Sequence, residues 1–146
     1  MIVVSDTSPI SNFFRINQLS ILHYVYGSVI IPSEVCNELK SLEGFGLNPN
    51  EIFSRPWIEI KQTSLTAKFH DSLKKIHLGE AAAIALAKEL NIKYVLIDDR
   101  KGQQLSLQQN LYPIGTLGTL KLAKEKGIIT EVKKLLDEII LAANYG

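Results

Sequence analysis

The stretch YVLIDDRKG, residues 94–102, runs from apolar residues directly into two adjacent carboxylates, Asp98 and Asp99, and then into Arg100 and Lys101. The chain holds five Asp, so placing two on neighbouring positions concentrates a scarce residue. A third, Asp6, directly follows the apolar run IVVS at 2–5. Two glutamates join them by helical position. In PSEVCNELKSL the apolar stripe is Val35, Leu39 and Leu42, and at about 100° per residue Glu38 lies nearer its centre than Glu34 does. In GEAAAIALAKEL, Glu80 shares a face with Ala83, Ile84 and Ala87, while Lys88 and Glu89 fall on the face expected to be exposed. Gathering such groups is costly: two like charges ~4 Å apart repel by ~4 kcal/mol at an effective dielectric of 20. Protons or a cation must offset that repulsion. His23, His70 and His77 are scattered and Cys36 has no His near it in sequence, so no soft-metal site competes. An oxygen-only cluster suits Mg²⁺ or Mn²⁺, and such a site can activate water for in-line displacement at phosphorus. These residue types point to phosphodiester hydrolysis.

Each acid also has an ordinary explanation. Asp6 could cap a following helix, although Ser8, ahead of Pro9, is better placed as the N-cap. Asp98 or Asp99 could cap RKGQQLSLQQ, and one of the pair is expected to do so in part. Glu80 falls in a first helical turn, where the dipole favours negative charge, and Glu34 and Glu38 could pair with surface lysines. Taken singly, these readings match the catalytic one. They do not require the acids to fall on one edge of a sheet.

The elements that would gather them are legible. Short β-branched segments stand at 2–5 (IVVS), 29–31 (VII), 94–97 (YVLI) and 112–115 (YPIG), and each leads into helical periodicity. Helices are expected in SPISNFFRI, QLSILHYVY, PSEVCNELKSL, GEAAAIALAKEL, RKGQQLSLQQN, GTLGTLKLAKEKG and EVKKLLDEIILAA. Strands alternating with helices imply parallel pairing and right-handed crossovers, hence an α/β three-layer sandwich around a central parallel sheet. Open sheets of this kind bind ligands beyond the carboxyl ends of their strands, where Asp6, Asp98 and Asp99 would lie. The region 43–56, EGFGLNPNEIFSRP, reads as an irregular insertion in a single domain spanning 1–146, with WIEIK after it as an extra strand.

The composition, 46% hydrophobic and 21% charged, is that of a globular domain able to build its own core. A single cysteine rules out an internal disulfide and suits a reducing compartment. MIVVSDTSPI lacks the basic region and apolar core of a signal peptide, and no apolar run approaches the ~20 residues of a membrane helix. A cytoplasmic protein with no membrane partner is expected. A formal net charge of +1 leaves any polyanion to be met by a local patch.

Four blocks resemble the PIN-domain ribonucleases: VVSDTSPI, VIIPSEVCNELKS, HLGEAAAIALAKELNIKYVLIDDRKG and YPIGTLGTLKLAKEKGII. In this order they cover nearly the whole chain except 43–77, and the last is typical of one PIN-like bacterial and archaeal subgroup. The resemblance implies a divalent-metal-dependent endoribonuclease, with the VapC-type toxins of toxin–antitoxin pairs as the best-known members. Carried over by position, Asp6, Glu38 and Glu80 become metal ligands, with Glu80 one methylene longer than the Asp often found there. Spacing from the third acid favours Asp98 as the fourth ligand, while the Arg that usually follows it favours Asp99. Thr7, Ser8 and Thr116 would orient ligands or water. Arg100 and Lys101 would meet RNA phosphates, with Lys121 and Lys124 at helical spacing beside them. Within 43–57, Phe45, Arg55 and Trp57 could stack on an unpaired base, although Trp57 tucked into the core is the preferred reading. Apolar residues of LTAKFHDSLKKIHL and EVKKLLDEIILAA could serve a homodimer or an antitoxin, with core packing as the default.

Other readings fit less well. GTLGT lacks the GxxxxGK[ST] arrangement of a phosphate-binding loop. A receiver domain would carry paired acids after the first strand, and a haloacid-dehalogenase-like phosphatase would carry Asp, not Ser, at position 8. The remaining rival is a PIN-like fold without catalysis that serves as a protein-binding module.

Overall fold

In the computed structural model residues 1–63 and 76–145 are described. Five strands form one sheet: β1 (Ile2–Ser5), β2 (Ser28–Pro32), β3 (Ile58–Lys61), β4 (Tyr94–Leu96) and β5 (Tyr112–Ile114). All pairings are parallel and the order is β3-β2-β1-β4-β5. WIEIK thus supplies an edge strand, in register Val29↔Ile58 and Ile31↔Ile60 with β2. Eight α-helices flank the sheet among the described residues: α1 (Thr7–Arg15), α2 (Ser20–Tyr26), α3 (Ser33–Lys40), α4 (Asn50–Phe53), α5 (Leu78–Leu90), α6 (Arg100–Gln108), α7 (Thr116–Glu125) and α8 (Val132–Tyr145).

Strand alternation divides the core into two layers. Val3, Val29, Ile31 and Leu96 face a cluster built with Ile10, Phe13, Leu22, Tyr26, Leu39 and Leu120. Val4, Ile30, Val95 and Ile97 face the other, with Ala81, Ala83, Ile84, Ala85 and Leu105. Side chains two apart share a face of a strand, so these runs are apolar on both sides, as a doubly covered parallel sheet requires. The expected three-layer α/β sandwich is the fold.

Several local expectations change. The first helix starts at Thr7, with Asp6, not Ser8, at the N-cap position in extended backbone. Pro9 becomes the third helical residue, still within the turn whose N–H groups have no helical partner. The insertion at 43–56 is not irregular: a 3₁₀ turn spans Ser41–Phe45, α4 follows, and Leu42 and Ile52 are buried. Its Gly, Pro and Asn residues punctuate short helical turns. Helix α5 is not amphipathic over most of its length, because Gly79–Ala87 are all buried. It packs on β1, β2 and β4 and also on α3 and α6. Small alanine side chains let those elements approach from several sides, and solvent is reached only at the ends, by Leu78 at the start and by Lys88 and Glu89 before half-buried Leu90. Helix α8 contacts α1 and α7 through a face that includes buried Ile139, leaving Ile140 and Leu141 exposed. Most of LTAKFHDSLKKIHL lies outside the described residues, as do His70, Lys74 and Lys75.

Among the described residues no helix is long and apolar enough to cross a membrane.

Candidate active site

The sheet order reverses beside β1: the chain moves outward from β1 through β2 and β3, then returns to its other side for β4 and β5. A crevice opens at such a reversal, beyond the carboxyl ends of the strands. Asp6 follows β1 and Asp98 follows β4, so they flank it. The backbone N–H of Asp6 donates to the Leu96 carbonyl at 2.9 Å, tying the two strand ends together.

Asp6 is 7% exposed and, although it occupies the N-cap position of α1, makes no side-chain capping bond. Burial pushes its carboxyl up to about 7, with the nearby Glu80, Glu38 and Asp98 adding to the rise and the Thr7 N–H opposing it. Glu38, half-buried on α3, accepts from the Thr7 hydroxyl and, at 3.1 Å, from the backbone N–H of Gly79. Gly79 opens onto both acids. A Cβ there would stand 2.8 Å from each Glu38 carboxylate oxygen and 2.9 Å from Asp6 Oδ1. The Glu38 and Asp6 carboxylates therefore border one small space at the N-terminus of α5.

Glu80, 2% exposed, completes a capping box: its Oε1 accepts from the His77 backbone N–H at 3.1 Å, and the His77 side chain accepts from the backbone of Glu80. The other oxygen, Oε2, is buried without a hydrogen-bond partner and lies against Gly102. Burial is the main cause of a raised Glu80 carboxyl, with the charge of Asp99 acting in the same direction. Glu80 is thus the capping acid of α5 and is buried, with the charge of Asp99 close by.

The doubled aspartate divides its duties. Asp99 is the N-cap of α6 and accepts from the N–H groups of Lys101 and Gly102 at 3.0 and 3.2 Å. Asp98 turns instead toward α7 and α1. Its Oδ2 accepts from the Thr116 hydroxyl at 2.8 Å and from Asn12 Nδ2 at 3.1 Å, and its Oδ1 accepts from the Thr116 N–H. Adjacent residues of an extended chain point to opposite sides, which accounts for the split.

Of the three hydroxyl residues singled out in the sequence, Thr7 and Thr116 bond the acids. Ser8 is exposed, and its carbonyl accepts from Ser11. Arg100 and Lys101 are exposed at the start of α6, and Lys121 and Lys124 are exposed on α7. Trp57 and Arg55 stand elsewhere. Trp57 precedes β3, and its carbonyl accepts from Val29 near the start of β2, which puts it at the opposite edge of the sheet from the acids. It stacks on His23 with ring centroids 5.2 Å apart and packs against the core. Arg55 bonds the Glu51 carbonyl and Ser20. Phe45 lies under Arg15, in the last turn of α1. The base-stacking role considered for these three residues is therefore set aside.

A family model described as a PIN domain matches residues 2–145. The chain belongs to the PIN-domain family. No curated protein and no solved structure matches it. PIN domains are generally nucleases and typically use divalent metals.

The donor set has the chemistry of a hard-cation site: carboxylates only, from β1, α3, α5 and the end of β4, with one buried oxygen unpartnered. As the side chains stand, no group of three or more His, Cys, Asp or Glu among the described residues is arranged to hold a metal ion. Glu38 is instead satisfied by Thr7 and Gly79, and Asp98 by Thr116 and Asn12, while burial raises the Asp6 and Glu80 carboxyls. The residues fit a divalent cation in type and location.

Sequence reasoning passed over Asn12, Gly79 and Gly102. Gly79, directly before Glu80 at a helix start, was the most legible of these, since glycine in a first turn gains nothing for the helix and marks close approach. Asn12 sits among polar residues of an ordinary amphipathic helix, and nothing in its spacing distinguishes it.

Proposed function

We propose that this PIN domain is a divalent-metal-dependent endoribonuclease that hydrolyses RNA phosphodiester bonds. The observation that carries the reading is the burial of Asp6 and Glu80, with raised proton affinity, beside Glu38 and Asp98 at the carboxyl edge of the sheet. Clustered buried carboxylates are costly to fold around, and a function that needs them together accounts for their retention. Asp6, Glu38, Glu80 and Asp98 would hold Mg²⁺ or Mn²⁺. When bound, that ion supplies Lewis acidity and a water of lowered pKa for in-line attack on the scissile phosphate. Thr7 and Gly79 orient Glu38, Thr116 orients Asp98, and Asp99 fixes the start of α6 so that Arg100 and Lys101 meet the phosphate backbone. The resemblance to VapC-type toxins extends the reading to an antitoxin partner and a homodimer in the cytoplasm.

A second reading, a PIN-like protein-binding module, is favoured by one observation: the acids as they stand are not arranged to hold an ion. Cleavage of a labelled single-stranded RNA with Mn²⁺, Mg²⁺ or EDTA, comparing wild type with Asp6→Asn, separates the two. Metal-dependent cutting lost in the variant is expected. Well-folded wild-type protein that neither cuts RNA nor binds Mn²⁺ would establish the binding module instead.

A further inference from the structure

Asn12 lies in the second turn of α1 and is half-buried. Its side-chain nitrogen reaches Asp98 Oδ2 and Thr116 Oγ1, each at 3.1 Å. Thr116 closes the triangle, its hydroxyl donating to the same Oδ2 at 2.8 Å. The directions of these bonds follow from the groups involved. An ionised carboxylate only accepts, so the nitrogen of the Asn12 amide, not its oxygen, faces Asp98. The Thr116 hydroxyl gives its one proton to Asp98 and so must accept from Asn12. The two acceptors lie only 2.8 Å apart, much closer than the spread of the two N–H bonds, so the amide nitrogen meets them in one shared contact.

The triangle joins three separate elements. Asn12 is on the helix that begins after Asp6, Asp98 ends β4, and Thr116 starts α7. With the Thr116 N–H included, Asp98 accepts three hydrogen bonds, two on Oδ2 and one on Oδ1. About one of its roughly four lone-pair sites is then left for another partner. The asparagine amide nitrogen reaches both acceptors at this place; serine offers a single, shorter hydroxyl, and aspartate offers no donor while adding a like charge.

We propose that Asn12 is a positioning residue that fixes the orientation of the Asp98 carboxylate for a divalent cation. The assignment rests on the metallonuclease reading above. Partners of this kind, which orient a ligand without touching the metal, typically change metal affinity or activity by about 10- to 100-fold when removed.

The test measures Mn²⁺ affinity by calorimetry and thermal unfolding of the metal-free chain, for wild type, Asn12→Ala, Asn12→Ser and Ser11→Ala. Asn12→Ala is expected to weaken Mn²⁺ binding by about 10-fold or more while unfolding within a few degrees of wild type. Asn12→Ser, which restores one donor, should recover part of the affinity, and it carries the test if the alanine variant fails to fold. Ser11→Ala, whose hydroxyl bonds only the Ser8 carbonyl among the described contacts, should match wild type in both measurements. Unchanged Mn²⁺ affinity in Asn12→Ala, or a loss that merely follows a fall in unfolding temperature, would overturn the assignment and leave the nuclease reading standing. Wild-type protein that binds no Mn²⁺ would overturn both.

Discussion

Gly79 donates its backbone N–H to Glu38 Oε1 at 3.1 Å, and its missing side chain leaves room for the same carboxylate. A methyl group at that position would stand 2.8 Å from both Glu38 oxygens. The atoms in the way are the tip of Glu38, a long side chain that can swing aside, and Asp6 Oδ1 at 2.9 Å, on a short buried one. The Gly→Ala gain of up to about 1 kcal/mol inside a helix offsets the cost of shifting them, so Gly79→Ala should stay folded, within about 1 kcal/mol of wild type. The displaced Glu38 should nonetheless lower RNA cleavage, by up to about 100-fold for a 1 Å misplacement. Single-turnover cleavage read beside thermal unfolding checks this. Equal loss of stability and activity would mean that Gly79 serves the core instead.

Asp6 makes the metal-free chain sensitive to pH. Its folded carboxyl titrates at about 7, against an ordinary value near 3.8. Below 3.8 both folded and unfolded chains carry the proton, and the contribution of the group is fully present. As pH rises the unfolded chain ionises first, so stability is lost progressively until the folded group also ionises near 7. The loss attributable to Asp6 is on the order of 4 kcal/mol. Urea unfolding of metal-free protein between pH 4.5 and 8 should show stability falling with pH in wild type and a flatter profile in Asp6→Asn. Glu80, raised for the same main reason, adds to the slope that remains. A profile rising with pH over this range in wild type would contradict the burial argument.

Much of this arrangement was legible because it follows from short-range rules. The runs IVVS, VII, YVLI and YPIG lie within one residue of the observed strands, and the acids at their ends could be placed on one edge before any coordinates. What escaped depended on long-range contact. The burial of α5 on nearly every side is set by the elements packed around it, which the pattern of one helix does not encode. The start of α1 shifted by two residues because Pro9 is tolerated anywhere in the first turn. Asn12 meets Asp98 across 86 residues of sequence, and no local period reports such a contact. Which of Asp98 and Asp99 caps α6 could not be read locally either, since capping fits each residue until α7 supplies Thr116 as a partner for Asp98.

That division of labour makes the two aspartates separable. Asp99 accepts two backbone N–H groups as the cap of α6, and serine is an equally good capping residue. Asp99→Ser should leave stability within about 0.5 kcal/mol, whereas Asp99→Ala should cost about 1 kcal/mol. Asp98→Asn keeps the shape of the site but removes its charge, and it should lose Mn²⁺ binding and cleavage while remaining folded. Denaturant midpoints paired with Mn²⁺ titrations distinguish the roles. Near-complete loss of Mn²⁺ binding in Asp99→Ser would exchange the assignments of the two residues.

Arg100 and Lys101 open α6, exposed, where the positive end of the helix dipole adds to their charge. Neither residue is needed by the core, so replacing both with alanine should leave the unfolding temperature within a few degrees of wild type. If each meets one phosphate, each removal should flatten the dependence of log affinity on log salt by about 0.7 for a single strand. The double variant should then show KM raised several-fold at low salt, little change in kcat, and a difference from wild type that shrinks as salt is added. Cleavage of a short labelled RNA at several KCl concentrations measures all three. A fall in kcat at unchanged KM would place these side chains at the reacting phosphate. An unchanged salt dependence would move the strand path away from these two side chains.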